Sequence, residues 1–152
     1  MCVLKVYSKK KSFGAFAVNC SIPVYSVKEA GEVRRKSTGE LYQEYRISFD
    51  VSGRDWDEFP GQVEDAIAFL DKHQKELVEL LSTHPISEAY LDFPLWSRLY
   101  ENIVNQNDHL PSRLVVACGG LGLGIEMALY SRDAFEDNES PTDALGGELA
   151  ED

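Results

Sequence analysis

Near the end of the chain Leu121, Leu123, Ile125, Met127 and Leu129 alternate with Gly122, Gly124, Glu126, Ala128 and Tyr130. A period of two sends one set to each side of a strand, so the spacing predicts a strand with a large apolar face and a small or polar one. Just upstream, Pro111 suits the first position of a helix, where a missing N–H costs nothing. Leu114, Val115, Ala117 and Cys118 then form a nearly continuous apolar run. This predicts a short buried helix over 111–118, stopped by Gly119 and Gly120, which tolerate the left-handed conformation that closes a helix.

The same patterns organise the rest of the chain. Cys2 to Tyr7 reads as a strand, broken by Lys9-Lys10-Lys11-Ser12, and Phe13 to Cys20 reads as a second strand paired with it as a hairpin. The lysine triplet is then a solvated hairpin tip. Ile22 to Val27 is extended, and Pro23 confines it to an edge or a bulge. Residues 28–41 are polar and carry Gly31 and Gly39, which predicts a loop or an exposed hairpin. In Tyr42 to Val51 the residues Tyr45, Ile47, Phe49 and Val51 share one face of a strand.

One long amphipathic helix is predicted over 60–82. Asp57 serves as its cap and Pro60 fits its first turn. Val63, Ala66, Ile67, Leu70, Leu77, Val78 and Leu81 fall on one side, with Glu64, Asp71, Lys72, Lys75, Glu76 and Glu79 on the other. Thr83-His84-Pro85 ends it. Ser87 to Leu95 gives a short strand that Pro94 terminates or places at an edge. Trp96, Leu99, Tyr100 and Ile103 fit one or two helical turns, and Asn105 to His109 is a loop. The expected fold is therefore α+β. An antiparallel sheet of five or six strands carries the helices over 60–82 and 111–118, because apolar strand faces must be covered.

Charge changes this picture mainly at the C-terminus. The chain has 26 acidic and 15 basic residues, a net charge of −11. Eight of the acids (Asp133, Glu136, Asp137, Glu139, Asp143, Glu148, Glu151 and Asp152) lie in residues 133–152, which hold no Lys or Arg. Removing those eight leaves 18 acids against 15 bases, a net of −3. Residues 1–132 are thus expected to form a single domain, and 133–152 an acidic tail without the apolar content to fold. The balance disfavours nucleic acid, which needs a basic footprint, and suits a basic protein partner. No apolar run approaches the roughly 18 residues of a membrane span, and the N-terminal apolar run is too short for a signal peptide. The expected location is the cytoplasm, where the scattered Cys2, Cys20 and Cys118 remain thiols.

Chemistry is sparse. The run Gly119-Gly120-Leu121-Gly122-Leu123-Gly124 admits no G-x-G-x-x-G. It also follows a helix and opens a strand, the reverse of a phosphate loop. His73, His84 and His109 form no metal-ligand spacing. A Cys118–His109 pair has no local signature of a nucleophile, and Ser112 and Ser131 lack an elbow context. Asp55/Asp57 and Glu64/Asp65 suit helix capping better than acid–base work. No cofactor, no metal and no catalytic residue are expected. What remains is two clusters of carboxylates with aromatic residues, which make good anchors for a basic protein surface. They are Asp55, Trp56, Asp57, Glu58 and Phe59, and Tyr90, Asp92, Trp96, Tyr100, Glu101 and Asp108.

Leu91-Asp92-Phe93, His109-Leu110-Pro111, Leu114, Gly119-Gly120-Leu121-Gly122 and Ile125-Glu126-Met127-Ala128-Leu129-Tyr130 together carry a likeness. Over residues 87–131 the chain resembles small bacterial α+β proteins of unknown function, several families of which are immunity proteins of contact-dependent or polymorphic toxin systems. The resemblance implies non-enzymatic binding of a cognate toxin, such as a nuclease, and transfers no catalytic residue. The alternative expectation is a small-ligand or regulatory module with a pocket beside Trp96 and Tyr100.

Overall fold

The computed structural model describes residues 1–99 and 102–131. The chain is an α+β protein built on a five-stranded sheet. In chain order the elements are β1 (Cys2–Ser8), α1 (Gly14–Asn19), β2 (Val24–Lys28), β3 (Val33–Arg35), β4 (Glu40–Leu41), β5 (Tyr45–Ser52), α2 (Phe59–Thr83), β6 (Ile86–Trp96), α3 (Ser112–Leu121) and β7 (Gly124–Tyr130). The sheet order is β2-β5-β1-β6-β7, and β3 and β4 form a separate exposed hairpin.

The pairings of β2, β5, β1 and β6 are antiparallel, but β7 runs parallel to β6, so the sheet is mixed rather than wholly antiparallel. Parallel neighbours need a crossover, and the loop after β6 with α3 supplies it. Alternation along the strands sends Leu4, Val6, Ile47, Phe49, Leu91, Phe93 and Leu95 to one face, where they form the core with Val63, Ala66, Ile67, Leu70 and Leu77 of α2 and Leu114 and Cys118 of α3. Lys5, Tyr7, Arg46, Tyr90, Asp92 and Glu126 alternate to the other face, on which the described residues place no helix.

Several expectations are corrected. Phe13 to Cys20 is not a strand: Gly14–Asn19 is a helix, and its Phe13, Phe16 and Ala17 pack into the core at i, i+3, i+4 spacing. The lysine triplet is accordingly a strand-to-helix loop, pinned by Ser8 Oγ, which accepts from the N–H groups of Lys10 (3.3 Å) and Lys11 (3.2 Å). Glu58, not Asp57, is the N-cap of α2, and it makes no side-chain capping bond. Pro60 does sit in the first turn. Val78, placed on the core side by its spacing, is 50% exposed.

Pro94 does not end its strand. Antiparallel pairing with β1 stops at Val3 opposite Asp92, while β6 continues beside β7 to Trp96. Pro94 therefore meets no β1 residue, and its missing N–H disrupts no ladder on that side. Trp96 closes β6 instead of opening a helix; no helix occurs in the described part of 96–104. Gly119 and Gly120 lie inside α3, which runs on to Leu121. The left-handed residue that caps α3 is Gly122 (φ 69°), whose N–H bonds the carbonyls of Cys118 and Gly119. Nor is α3 buried all round: Val115 and Val116 are exposed on its outer side. The expected acidic tail, 133–152, lies outside the described residues.

Candidate functional site

Trp56 precedes α2 by a few residues, Trp96 ends β6 and Tyr130 ends β7. The fold brings the three rings together. The Trp56 and Trp96 centroids are 4.6 Å apart at 48°, and Trp56 stacks on Tyr130 at 4.7 Å and 30°. Backbone bonds fix the arrangement: Trp96 N–H donates to the Trp56 carbonyl (3.4 Å), and Ser97 N–H to the Tyr130 carbonyl (2.7 Å). Both tryptophans are partly buried and Tyr130 is 39% exposed. They form an aromatic platform at one end of the sheet face that bears no described helix.

Beneath the platform, Gln62 of α2 is wholly buried. Its Nε2 donates to the carbonyls of Asp55 (2.9 Å) and Pro94 (3.3 Å), tying the segment before α2 to the end of β6. Asp55, Asp57 and Glu58 are exposed beside Trp56. Asp55 Oδ1 accepts from the Trp56 N–H (2.6 Å), and Glu58 Oε2 from the Asp55 N–H (3.2 Å), so the acids also shape the turn they sit in. Arg54 links Glu58 (3.5 Å) to Asp65 (3.1 Å). Ser52, then Arg54, holds the Asp65 carboxyl below its ordinary value, since both bond its charged form.

The other candidate residues fall elsewhere. Asp92 sits further along the same face, ion-paired with Lys5 and beside Glu126 of β7. Around it, the rings of Tyr7 and Tyr90 stack at 5.9 Å with their hydroxyls 3.3 Å apart, and the Arg46 guanidinium lies 5.6 Å over Tyr7. The Tyr90 hydroxyl is pushed up by burial and then by Tyr7. Asp108 is turned inward, accepting from Arg98 (2.8 Å) and Gln106 (2.8 Å) with its side chain 9% exposed. Its part is to order the loop before α3. Phe59 is a core residue, stacked edge-on with Phe93. Tyr100 and Glu101 lie outside the described residues. Tyr130, missed in the sequence, sat in plain view as the last residue of an alternating strand.

Cys118 faces the core at 2% exposure, and burial pushes its thiol up to about 11, so it presents no thiolate near neutrality. His109 is instead exposed, at the rim of a cleft of about 560 Å³ that also takes in Asp57, Phe59, Arg98 and Asp108. Among the described residues no three His, Cys, Asp or Glu side chains gather as metal ligands, and no helix is long and apolar enough to cross a membrane. The class of protein that fold and site define is an α+β domain with an aromatic, acid-flanked platform. Comparison with protein-family models, with curated proteins and with solved structures gives no match.

Proposed function

We propose that this chain is a non-catalytic immunity-type protein. It neutralises a cognate bacterial toxin domain of basic surface, in the cytoplasm, by docking the Trp56–Trp96–Tyr130 platform and the carboxylates beside it onto that domain. The observation that carries the reading is the convergence of the three rings from separate parts of the chain. Large aromatic side chains in pre-set positions lose little freedom on binding and supply most interface hot spots. Exposed Asp55, Asp57 and Glu58 add a negative rim that speeds encounter with a cationic surface. The likeness of residues 87–131 to immunity proteins points to the same class of partner.

The test is co-expression with the toxin domain of the adjoining reading frame. The chain restores growth and binds the purified toxin domain, with association slowing steeply as salt rises. Trp56→Ala combined with Trp96→Ala abolishes rescue while the far-ultraviolet spectrum is kept. Full rescue by the folded double variant, or association indifferent to salt, overturns the reading. A second reading, a small-ligand module, is favoured by the 560 Å³ cleft, which is lined by Arg98, Asp108 and His109 and not by Trp96 as expected, and whose volume lies in the ~300–1,000 Å³ range of ligand pockets. It predicts a metabolite that raises the melting temperature, an effect lost in Arg98→Ala.

A further inference from the structure

The two edges of the sheet are built differently. At the β2 edge, Pro23 precedes the strand, the register shifts between Val24 and Ser26, and Lys28 closes it. Proline, irregularity and lysine are the usual guards against pairing with another chain. The β7 edge has none of them. Its seven residues, GIEMALY, hold no proline or lysine, and their ladder with β6 runs without a shift.

The phase of β7 says which groups are unpaired. Ser97 N–H donates to the Tyr130 carbonyl, so Tyr130 turns its backbone groups toward β6. By alternation Gly124, Glu126 and Ala128 do the same, and Ile125, Met127 and Leu129 turn theirs outward. Among the described residues those outward groups meet no backbone partner. Leu129, opposite Leu95 and on the helix-bearing face, is still 51% exposed, and Tyr130 is 39% exposed. An inward-facing leucine beside unpaired backbone marks an edge awaiting a strand.

We infer that β7 pairs antiparallel with β7 of a second copy of this chain, about a two-fold axis at Met127. The outward phase requires that hydrogen-bonded pairs form among residues 125, 127 and 129. A centre at Met127 meets this over the full strand, with Met127 opposite Met127 and Ile125 opposite Leu129. Centres at Ile125 or Leu129 keep the phase but leave part of the strand unpaired. A centre at Glu126 also keeps the phase, but it sets two carboxylates face to face and leaves Leu129 and Tyr130 opposite no residue of the partner strand. With the axis at Met127, Glu126 meets Ala128. Ile125 covers the exposed Leu129. Tyr130 comes opposite Gly124 of the second copy, which has no side chain to meet it. The result is one continuous sheet with five strands from each copy.

Sedimentation equilibrium of the full chain tests this, at physiological salt so that repulsion between two chains of net charge −11 is screened. The expected mass rises with concentration from 17.1 kDa to twice that value. Met127→Pro removes an outward N–H without touching the β6 ladder, and Leu129→Lys puts a charge on the seam. Each weakens dimerisation at least about tenfold with an unchanged far-ultraviolet spectrum. Register is read in a Cys20→Ser background. Met127→Cys oxidises to a linked dimer, since hydrogen-bonded antiparallel pairs have Cα atoms about 5.5 Å apart, and Glu126→Cys does not. A mass of 17.1 kDa at every concentration, a dimer that survives both edge variants, or linkage at 126 in place of 127 overturns the inference.

Discussion

Gln62 and Pro94, 32 positions apart, meet where the α2 helix crosses the end of β6, and the Gln62 amide donates to the Pro94 carbonyl. The same amide reaches the Asp55 carbonyl, so one buried side chain holds together the two segments that carry Trp56 and Trp96. Its own Oε1 has no hydrogen-bond partner among the described residues. A wholly buried residue with an unsatisfied oxygen is a costly choice for a core, and the cost is borne at the root of the aromatic platform.

Gln62→Leu keeps the volume and removes both donations; the Asp55 carbonyl keeps the Glu58 N–H (3.1 Å), while the Pro94 carbonyl loses the Gln62 amide. The expected loss is about 1–3 kcal/mol, offset in part because the orphaned oxygen goes too. Urea unfolding measures the loss. Near-ultraviolet circular dichroism should report a loosened Trp56–Trp96 pair below the unfolding transition. An unaltered tryptophan signal would detach Gln62 from the platform.

The glycines of α3 should divide by sign. Gly119 and Gly120 are helical, and a Cβ at either meets open space, so Gly119→Ala and Gly120→Ala each stabilise by roughly 0.5–1 kcal/mol. Gly122 also has room, but its φ of 69° is one that L side chains rarely adopt. Gly122→Ala therefore costs on the order of 1–2 kcal/mol. Thermal unfolding of the three single variants gives the signs directly.

This run of glycines shows what the sequence could and could not convey. Alternation in 45–51 and 125–129, and the 3.6-residue period through α2, follow from burial on one face, and they located β5, β7 and α2. A glycine cluster says that a helix ends nearby but not which member takes the left-handed angle. Phe13 to Cys20 misled because α1 is only six residues long, too short for its i, i+3, i+4 contacts to outweigh a run of β-formers. The direction of β7 depended on where the crossover returned, and no local period encodes that. Within the site, residue type singled out Trp56 and Trp96, but their contact and the arrival of Tyr130 are tertiary. Asp108 was indistinguishable from a surface acid until its pairing with Arg98 was seen.

Lys5 and Asp92 should prove coupled. Lys5 Nζ bonds Asp92 Oδ2, while Asp92 Oδ1 is buried without a partner among the described residues, and the side chains are 20% and 16% exposed. Removing the cation alone leaves a poorly solvated carboxylate. Lys5→Met should cost on the order of 1–3 kcal/mol. Lys5→Met combined with Asp92→Leu should recover part of that, because replacing both members of a desolvated pair by apolar groups is often neutral. A double-mutant cycle in urea measures the coupling; strictly additive losses would mean that the pair is no more than a surface contact.

His84 gives the fold an acid-sensitive joint. Its ring stacks on Phe13 at 5.0 Å, meets Phe16 edge-on at 6.2 Å, and places Nδ1 3.2 Å from the Leu80 carbonyl and 3.1 Å from Thr83 Oγ1. The Lys11 ammonium lies close by, bonded to the Thr83 carbonyl. Burial, then Lys11, holds the imidazole below its ordinary value of 6.5, because both disfavour its cation. The folded state therefore binds the proton less readily than the unfolded chain. The contribution of His84 is complete above pH 6.5 and is lost as the pH falls from there through the lower folded value. Asp65 and Glu76, held low chiefly by Ser52 and Ser21, lose theirs only further down, below their ordinary 3.8 and 4.5. Urea midpoints should thus begin to fall just under pH 6.5, well before the carboxylates titrate. His84→Gln should be less stable at neutral pH and lack that first decline. A decline of equal size in the variant would assign it to another group.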